Sequence, residues 1–284
     1  MSAGPSSLKA PKRGWAARPA GLRLAAEVAA AAVAAAAVSL LPRVPQPASY
    51  HNFAGDDRTL LGVPHGHDVL SNAAIAAPGV AGLWLLLGRQ RCPAAGAAPM
   101  PAAERACWVA THLGMVLAAA GSARYHLSPN TATLAWDRLG MCCTFTSLLA
   151  AVIAQLRSAA AGLLALAPLL AAACGSVLWW QASEAAGRGD LRWYALVQGL
   201  AAAAVGYHAL AYPSPRGSSR HILASLALYG AAIVCDRLDR PVYLLTMGLV
   251  SGHTIKHLLA GAAGWPLVAA LGQRIRAPVA GQRA

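Results

Sequence analysis

Ser122 and His126 stand four residues apart in the stretch GSARYHLSPNTATLAWDRL, and Asp137 follows eleven residues after His126. A hydroxyl, an imidazole and a carboxylate are costly between two apolar runs that can cross a bilayer, so their convergence points to a functional site. If the preceding helix continues through this stretch, Ser122 and His126 share one face. Ser128, Pro129 and Asn130 mark a turn, and Asp137 lies at the start of the next apolar run. An antiparallel helix pair then returns it beside His126. The last apolar run opens SerGlyHisThrIleLysHis, which places His253 and His257 four apart on one helix face. Three imidazoles at one depth suit a tetrahedral zinc whose fourth position is left for water, the arrangement of a catalytic site. Zinc brings the water's pKa toward neutrality and polarises a carbonyl. Plainer roles also exist: an interfacial histidine bonded to a carbonyl, Ser122 as a small helix-contact residue, Asp137 as a helix-start carboxylate paired with Arg138.

The elements that must carry these residues are membrane helices. The chain has 284 residues, 57% apolar and only 12% charged, far from the balance of a soluble domain. Apolar segments near 24–41, 69–88, 106–124, 139–156, 160–180, 193–212, 221–235 and 249–271 each approach the length a bilayer requires. The reading is an all-α, polytopic membrane helix bundle with eight crossings. Residues 1–22 form a basic flexible tail, and 23–49 an Ala-rich first helix and linker weakened by Glu27. That run is long for a signal peptide and ends without a small-x-small site, so it reads as a retained helix. Residues 236–248 read as an interfacial segment and 272–284 as a basic tail.

The formal charge of +13 raises nucleic acid as a partner, but the basic residues are scattered singly and form no basic face. Topology accounts for them better. With the amino terminus inside, fourteen basic residues collect on the inner side and eight on the outer. The rule for basic loops then puts both termini in the cytoplasm and the histidines toward the outer side. The inner face suits an anionic leaflet. The six cysteines lack CxxC spacing and read as small buried hydrophobes. Nucleotide-binding and zincin motifs have no local support. The polar loop with Tyr50, His51, Asp56, Asp57, Arg58, His65, His67 and Asp68 reads equally as a solvated loop or as a metal-binding or site-covering one.

The order Ser122-xxx-His126, Asp137, then His253-xxx-His257 resembles the alkaline ceramidase family, part of a superfamily of seven-helix membrane hydrolases that includes the adiponectin receptors. The resemblance covers about 50–271 and leaves the first helix as an addition ahead of a seven-helix hydrolase body. It implies that His126, His253 and His257 bind zinc, that Asp137 activates water and passes its proton on, and that Ser122 holds the carbonyl oxygen as it becomes anionic. It further implies a ceramide-like lipid substrate drawn from the bilayer and hydrolysis of its amide. The family's eukaryotic ceramidases also carry an acidic calcium site with glutamates. Here that region offers Asp56, Asp57, Asp68 and Asn72, with His65 in place of a glutamate, which leaves calcium in doubt. Lys256 has no assigned role. Two other classes use the same residues: a haem-binding membrane electron carrier, and a lipid receptor with a structural zinc. The sequence points to no protein partner.

Overall fold

A computed structural model describes residues 19–53, 55–88, 99–212, 214 and 217–276. Lys9, Lys12, Arg13, Arg18, Arg89, Arg91, Cys92, Arg216 and Arg283 lie outside the described residues. The helices are α1 (Ala20–Leu40), α2 (Gly66–Leu70), α3 (Asn72–Leu87), α4 (Ala102–Leu127), α5 (Thr131–Leu156), α6 (Ala159–Ala185), α7 (Arg192–Ala211), α8 (Ser218–Arg237), α9 (Asp239–Leu245) and α10 (Gly252–Arg276). With α2 and α3 counted as one span, eight of these are long and apolar enough to cross a membrane. The chain is thus an all-α, multi-pass integral membrane protein. Several boundaries differ from the sequence reading. Helix α1 begins at Ala20, inside the stretch read as tail, and α10 continues to Arg276, past the expected end at 271. Helix α5 begins at Thr131, because Asn130 accepts from the Thr133 amide at 3.0 Å while the Thr133 hydroxyl accepts from the Asn130 amide. That capping box starts the helix two turns earlier than hydropathy indicates.

Helices α4 and α5 form the tightest pair, and small residues allow it. A Cβ on Gly140 would fall on the Ala118 backbone, and one on Gly114 would sit 3.0 Å from the Thr144 Cα. Gly121 faces the Trp136 carbonyl in the same way and is closed off by the Asp137 amide, 2.9 Å from where a Cβ would stand. Close backbone approach gives the dispersion contact that drives helix association in lipid, where no hydrophobic force separates helix from solvent. It also fixes register, because Gly121 against Trp136 sets Ser122 level with Asp137.

Helix α10 is placed against α3 by a similar device. Pro78 lacks the amide that would bond the Ala74 carbonyl, and Gly261 and Gly264 of α10 pack against Ala74 and Pro78, where no side chain would fit. At the far end of α10, Arg274 grips Glu104 at the start of α4 through two bonds of 3.1 and 3.0 Å. That bidentate pair closes the end of the bundle opposite the histidines.

Helix α1 stands apart. It leans on α7, and most of its apolar side chains are exposed, Val33 and Leu40 among them. Glu27 is its polar tie: Arg157 donates to it at 2.7 Å, Tyr212 donates at 3.4 Å, and His208 lies 3.8 Å away. At its other end Arg192 donates to the Leu41 and Val38 carbonyls.

Arg192 is itself held by Asp190, in the loop before α7, at 2.7 and 2.8 Å. Those hydrogen bonds hold the Asp190 carboxyl below its ordinary pKa. A depressed carboxyl pKa stabilises the fold above the unfolded value and loses that contribution as pH falls through the folded one. Thermal stability in detergent is therefore expected to fall more steeply below about pH 4 for the wild type than for Asp190→Asn. Parallel acid profiles of the two proteins would remove this role from Asp190.

Candidate metal centre

The three histidines reach one point from two helices. His126 lies one turn past Ser122 on the last turns of α4, and both are buried. His253 and His257 lie on one face of the first two turns of α10. That helix starts where Ser251 accepts from the Thr254 amide at 2.9 Å and Asp239 accepts from the His253 amide at 2.8 Å, an N-terminal cap doubled by a loop carboxylate. One ring nitrogen from each histidine lies within 4.8 Å of the others. The Nε2 atoms of His126 and His253 are 3.1 Å apart. Four ligands placed tetrahedrally around zinc stand about 3.3 Å from one another, so the His126–His253 pair stands at ligand spacing.

Each Nδ1 faces outward to an oxygen. His253 Nδ1 meets Asp236 Oδ1 at 2.8 Å, and His257 Nδ1 meets Ser71 Oγ at 2.8 Å. His126 Nδ1 faces Asp68 Oδ2 at 4.0 Å, and both of these atoms are buried without another partner. Asp68 is oriented by Thr254 and Ser251, which donate to its other oxygen at 2.6 and 3.4 Å. Metal-bound histidines commonly present their second nitrogen to such an acceptor, which fixes tautomer and ring direction. Donor chemistry, spacing and backing therefore all fit a metal.

Ser122 and Asp137 join the same site. Ser122 Oγ lies 3.4 Å from His257 Nε2. Asp137 is buried two turns inside α5, rather than at a helix start. Its neighbour Arg138 forms no surface ion pair with it. The guanidinium turns away, buried over Trp180 at 4.0 Å and Tyr194 at 5.0 Å, and donates to Gln46.

The polar loop before α2 covers the histidines. Phe53 packs on the His126 ring at 4.6 Å and on His65 at 4.8 Å. His51 pairs with the Tyr125 hydroxyl at 3.1 Å and with Thr131 at 3.4 Å. Partial burial and the nearby Arg138 charge hold the His51 pKa below its ordinary value, so its ring is neutral at neutral pH. Among the described residues the acidic side chains of this loop form no cluster of three His, Cys, Asp or Glu ligand groups. Asp56 accepts from the amides of Asp68 and Arg58 at 3.1 and 3.3 Å, Asp57 is exposed, and Asn72 donates to the Asp68 carbonyl.

A narrow cavity of about 90 Å³ leads away from the site. His257, Ser122, Asp137, Lys256 and Tyr229 line its polar end. From there it follows α10 to Leu267, about 16 Å at 1.5 Å per residue, between Met115, Phe145 and Leu148.

Ser71, Asp236 and Phe53 belong to this site and carry no motif in the sequence. Asp236 sits one turn before Asp239 in a segment that reads as interfacial. Ser71 gives no signal beyond lying four residues from candidate loop ligands. Comparison with protein-family models, curated proteins and solved structures gives no match to this chain.

Proposed function

We propose that the protein is a zinc-dependent hydrolase of the membrane that cleaves the amide bond of a ceramide-like lipid. The observation that carries this reading is the convergence of three imidazoles, those of His126 and His257 buried and that of His253 partly so, beside Ser122 and Asp137 at the polar end of an apolar cavity. His126, His253 and His257 would hold the ion. When bound, zinc supplies Lewis acidity, which brings water's pKa toward neutrality and polarises a carbonyl.

The chain's own residues do the rest. Asp137 takes a proton from the attacking water, whose hydroxyl adds to the amide carbon, and returns it to the amine nitrogen as the C–N bond breaks. Ser122 donates its hydroxyl to the carbonyl oxygen as negative charge develops there. The acyl chain lies along the cavity. Its narrowness is no bar, because Met115 and Met141 line it and thioether side chains re-pack readily around a ligand. Phe53 limits the access of bulk water from the loop side. By the distribution of basic residues, both termini are cytoplasmic and the site faces outward.

The haem alternative is less well supported. The three rings pack edge to face with centroids 4.8 to 5.2 Å apart, which leaves no slot for a macrocycle between any two of them.

The test is metal analysis of detergent-purified protein beside fatty-acid release from a ceramide panel. About one zinc per chain, with release that a chelator stops and added zinc restores, is the expected result. Folded protein that carries no zinc and takes none up would end the reading. Zinc with no release from any lipid amide would favour the receptor reading instead.

A further inference from the structure

Two tight turns near the metal centre share one unusual build. In the loop that covers the histidines, Leu60 and Val63 exchange two backbone hydrogen bonds of 2.9 Å, and the central residues Leu61 and Gly62 have φ of 53° and 79°. Between α9 and α10, the Leu249 amide donates to the Thr246 carbonyl at 3.1 Å, and the central residues Met247 and Gly248 have φ of 52° and 78°. Positive φ at both centres marks a type I′ turn, whose first central position favours Asn, Asp or Gly. Each of these turns instead carries a large apolar residue there, and Leu61 and Met247 are both 88% exposed. Left-handed backbone is unfavourable for such side chains, and contact with water is unfavourable for them as well. Local propensity therefore accounts for neither residue.

The two turns are tied together. Arg58, three residues before Leu61, donates to the Leu249 carbonyl at 2.8 Å, and its guanidinium lies over the Tyr243 ring at 5.7 Å. Gly55, three residues further back, packs against Ser251, where no Cβ would fit. Leu244, Leu245 and Leu249 are exposed around Met247, and Leu60 is exposed beside Leu61. Contiguous exposed apolar surface marks an interaction site.

The place of the turns identifies what covers them. Helix α8 crosses the membrane and ends at Arg237, and α10 begins its crossing at Gly252. The Met247 turn therefore leaves and rejoins the bilayer at one surface, with the Leu61 turn bound to it there. The apolar surface continues into the exposed sides of the two spans, at Val234 on α8 and Leu258 on α10. Tyr243 is an amphipathic ring of the kind that sits at headgroup level, and Arg237 and Arg240, both exposed, suit lipid phosphates.

We propose that the Leu61 and Met247 turns are a pair of prongs inserted among the acyl chains of the leaflet at the metal-centre end of the bundle. The partner is the bilayer, and the inference does not depend on the hydrolase reading. The Leu61 loop also carries Phe53 over His126, and Asp239 at the start of α9 holds the His253 amide. The prongs thereby fix the depth of the metal centre relative to the membrane surface.

Spin labels on Leu61→Cys and Met247→Cys test it, in full-length protein reconstituted one chain to a phosphatidylcholine nanodisc. Leu178→Cys, exposed on α6, supplies a lipid-facing reference, and Asp57→Cys, exposed in the same loop as Leu61, a water-facing one. Wild type carried through the same labelling gives the background of the native thiols. Molecular oxygen, which concentrates in hydrocarbon, and a water-soluble nickel chelate are the two relaxing agents. Both prong labels are expected to respond as Leu178→Cys does, more to oxygen than to nickel. A response like that of Asp57→Cys at either position would overturn the proposal. Shielding from both agents would overturn it too, since a protein surface would then be the cover.

A label is itself apolar, so a second measurement uses none. Asn suits the left-handed position better than Leu or Met, so with the tips in water Leu61→Asn with Met247→Asn should hold or raise the melting temperature. With the tips in lipid, the double variant loses two apolar side chains from hydrocarbon, and its melting temperature in nanodiscs should fall by about 5 °C or more. A melting temperature equal to or above that of the wild type would overturn the proposal.

Discussion

Asp137→Asn should bind zinc as the wild type does and cleave lipid amides more slowly by a hundred- to ten-thousandfold. The substitution keeps size and shape in a buried position of α5, so the Gly121 contact that sets its level stays in place. What it removes is the ability to take a proton and return it. Its partner in the comparison is His253→Ala, which takes away one of the three proposed ligands and leaves Asp236 facing a gap. That protein should lose zinc and turnover together. Metal analysis and single-turnover cleavage of one labelled lipid, run on both variants, separate proton transfer from metal binding. Asp137→Asn with full activity would remove the proton role, whatever the zinc content. His253→Ala that still holds one zinc would mean that the ion sits elsewhere.

Gly140→Leu should cost the fold about 3 kcal/mol or more, although Gly140 lines neither the cavity nor the metal centre. Its side chain would be driven onto the Ala118 backbone, which a flexible neighbour cannot relieve. Helix α4 would have to withdraw from α5 along its length. Gly199 of α7 has no atom within 4 Å of its missing Cβ, so Gly199→Leu supplies the matched change with little expected effect. Reactivity of the buried Cys142 thiol on a thermal ramp in detergent reads both. Equal melting of the two variants would mean that the α4–α5 approach contributes nothing special.

Several of these features were legible as spacing and others only as contact. The i, i+4 pairs Ser122/His126 and His253/His257 are a periodic signal, and the helix continues through both as the spacing requires. The eight spans follow from hydropathy, which is reliable because lipid forces every backbone group into a helix. The start of α5 was hidden, because Thr131 to Asp137 is too polar for a hydropathy window, and the capping box at Asn130 decides it locally. The backing of the histidines was hidden for a different reason. Asp236, Asp68 and Ser71 meet their rings across gaps of 17, 58 and 186 residues, and no periodicity spans such gaps. In the sequence Asp68 stands among the loop acids; its position beside Thr254 turns it to His126 instead. Arg138 shows the limit of local reading, since its partners come from α6 and α7 and from the loop after α1.

The loose attachment of α1 bears on how the protein is made. Synthesis runs from the amino end, so α1 enters the membrane long before the helix it leans on has left the ribosome. During that interval Glu27 has neither Arg157 nor His208 to meet, and an unpaired carboxylate in hydrocarbon is costly. Carrying this charge, α1 is a costly solitary span until a partner reaches Glu27. Arg157, at the end of α5, is the first partner to arrive. The ion pair therefore marks the point in biogenesis at which the charge on α1 is first balanced.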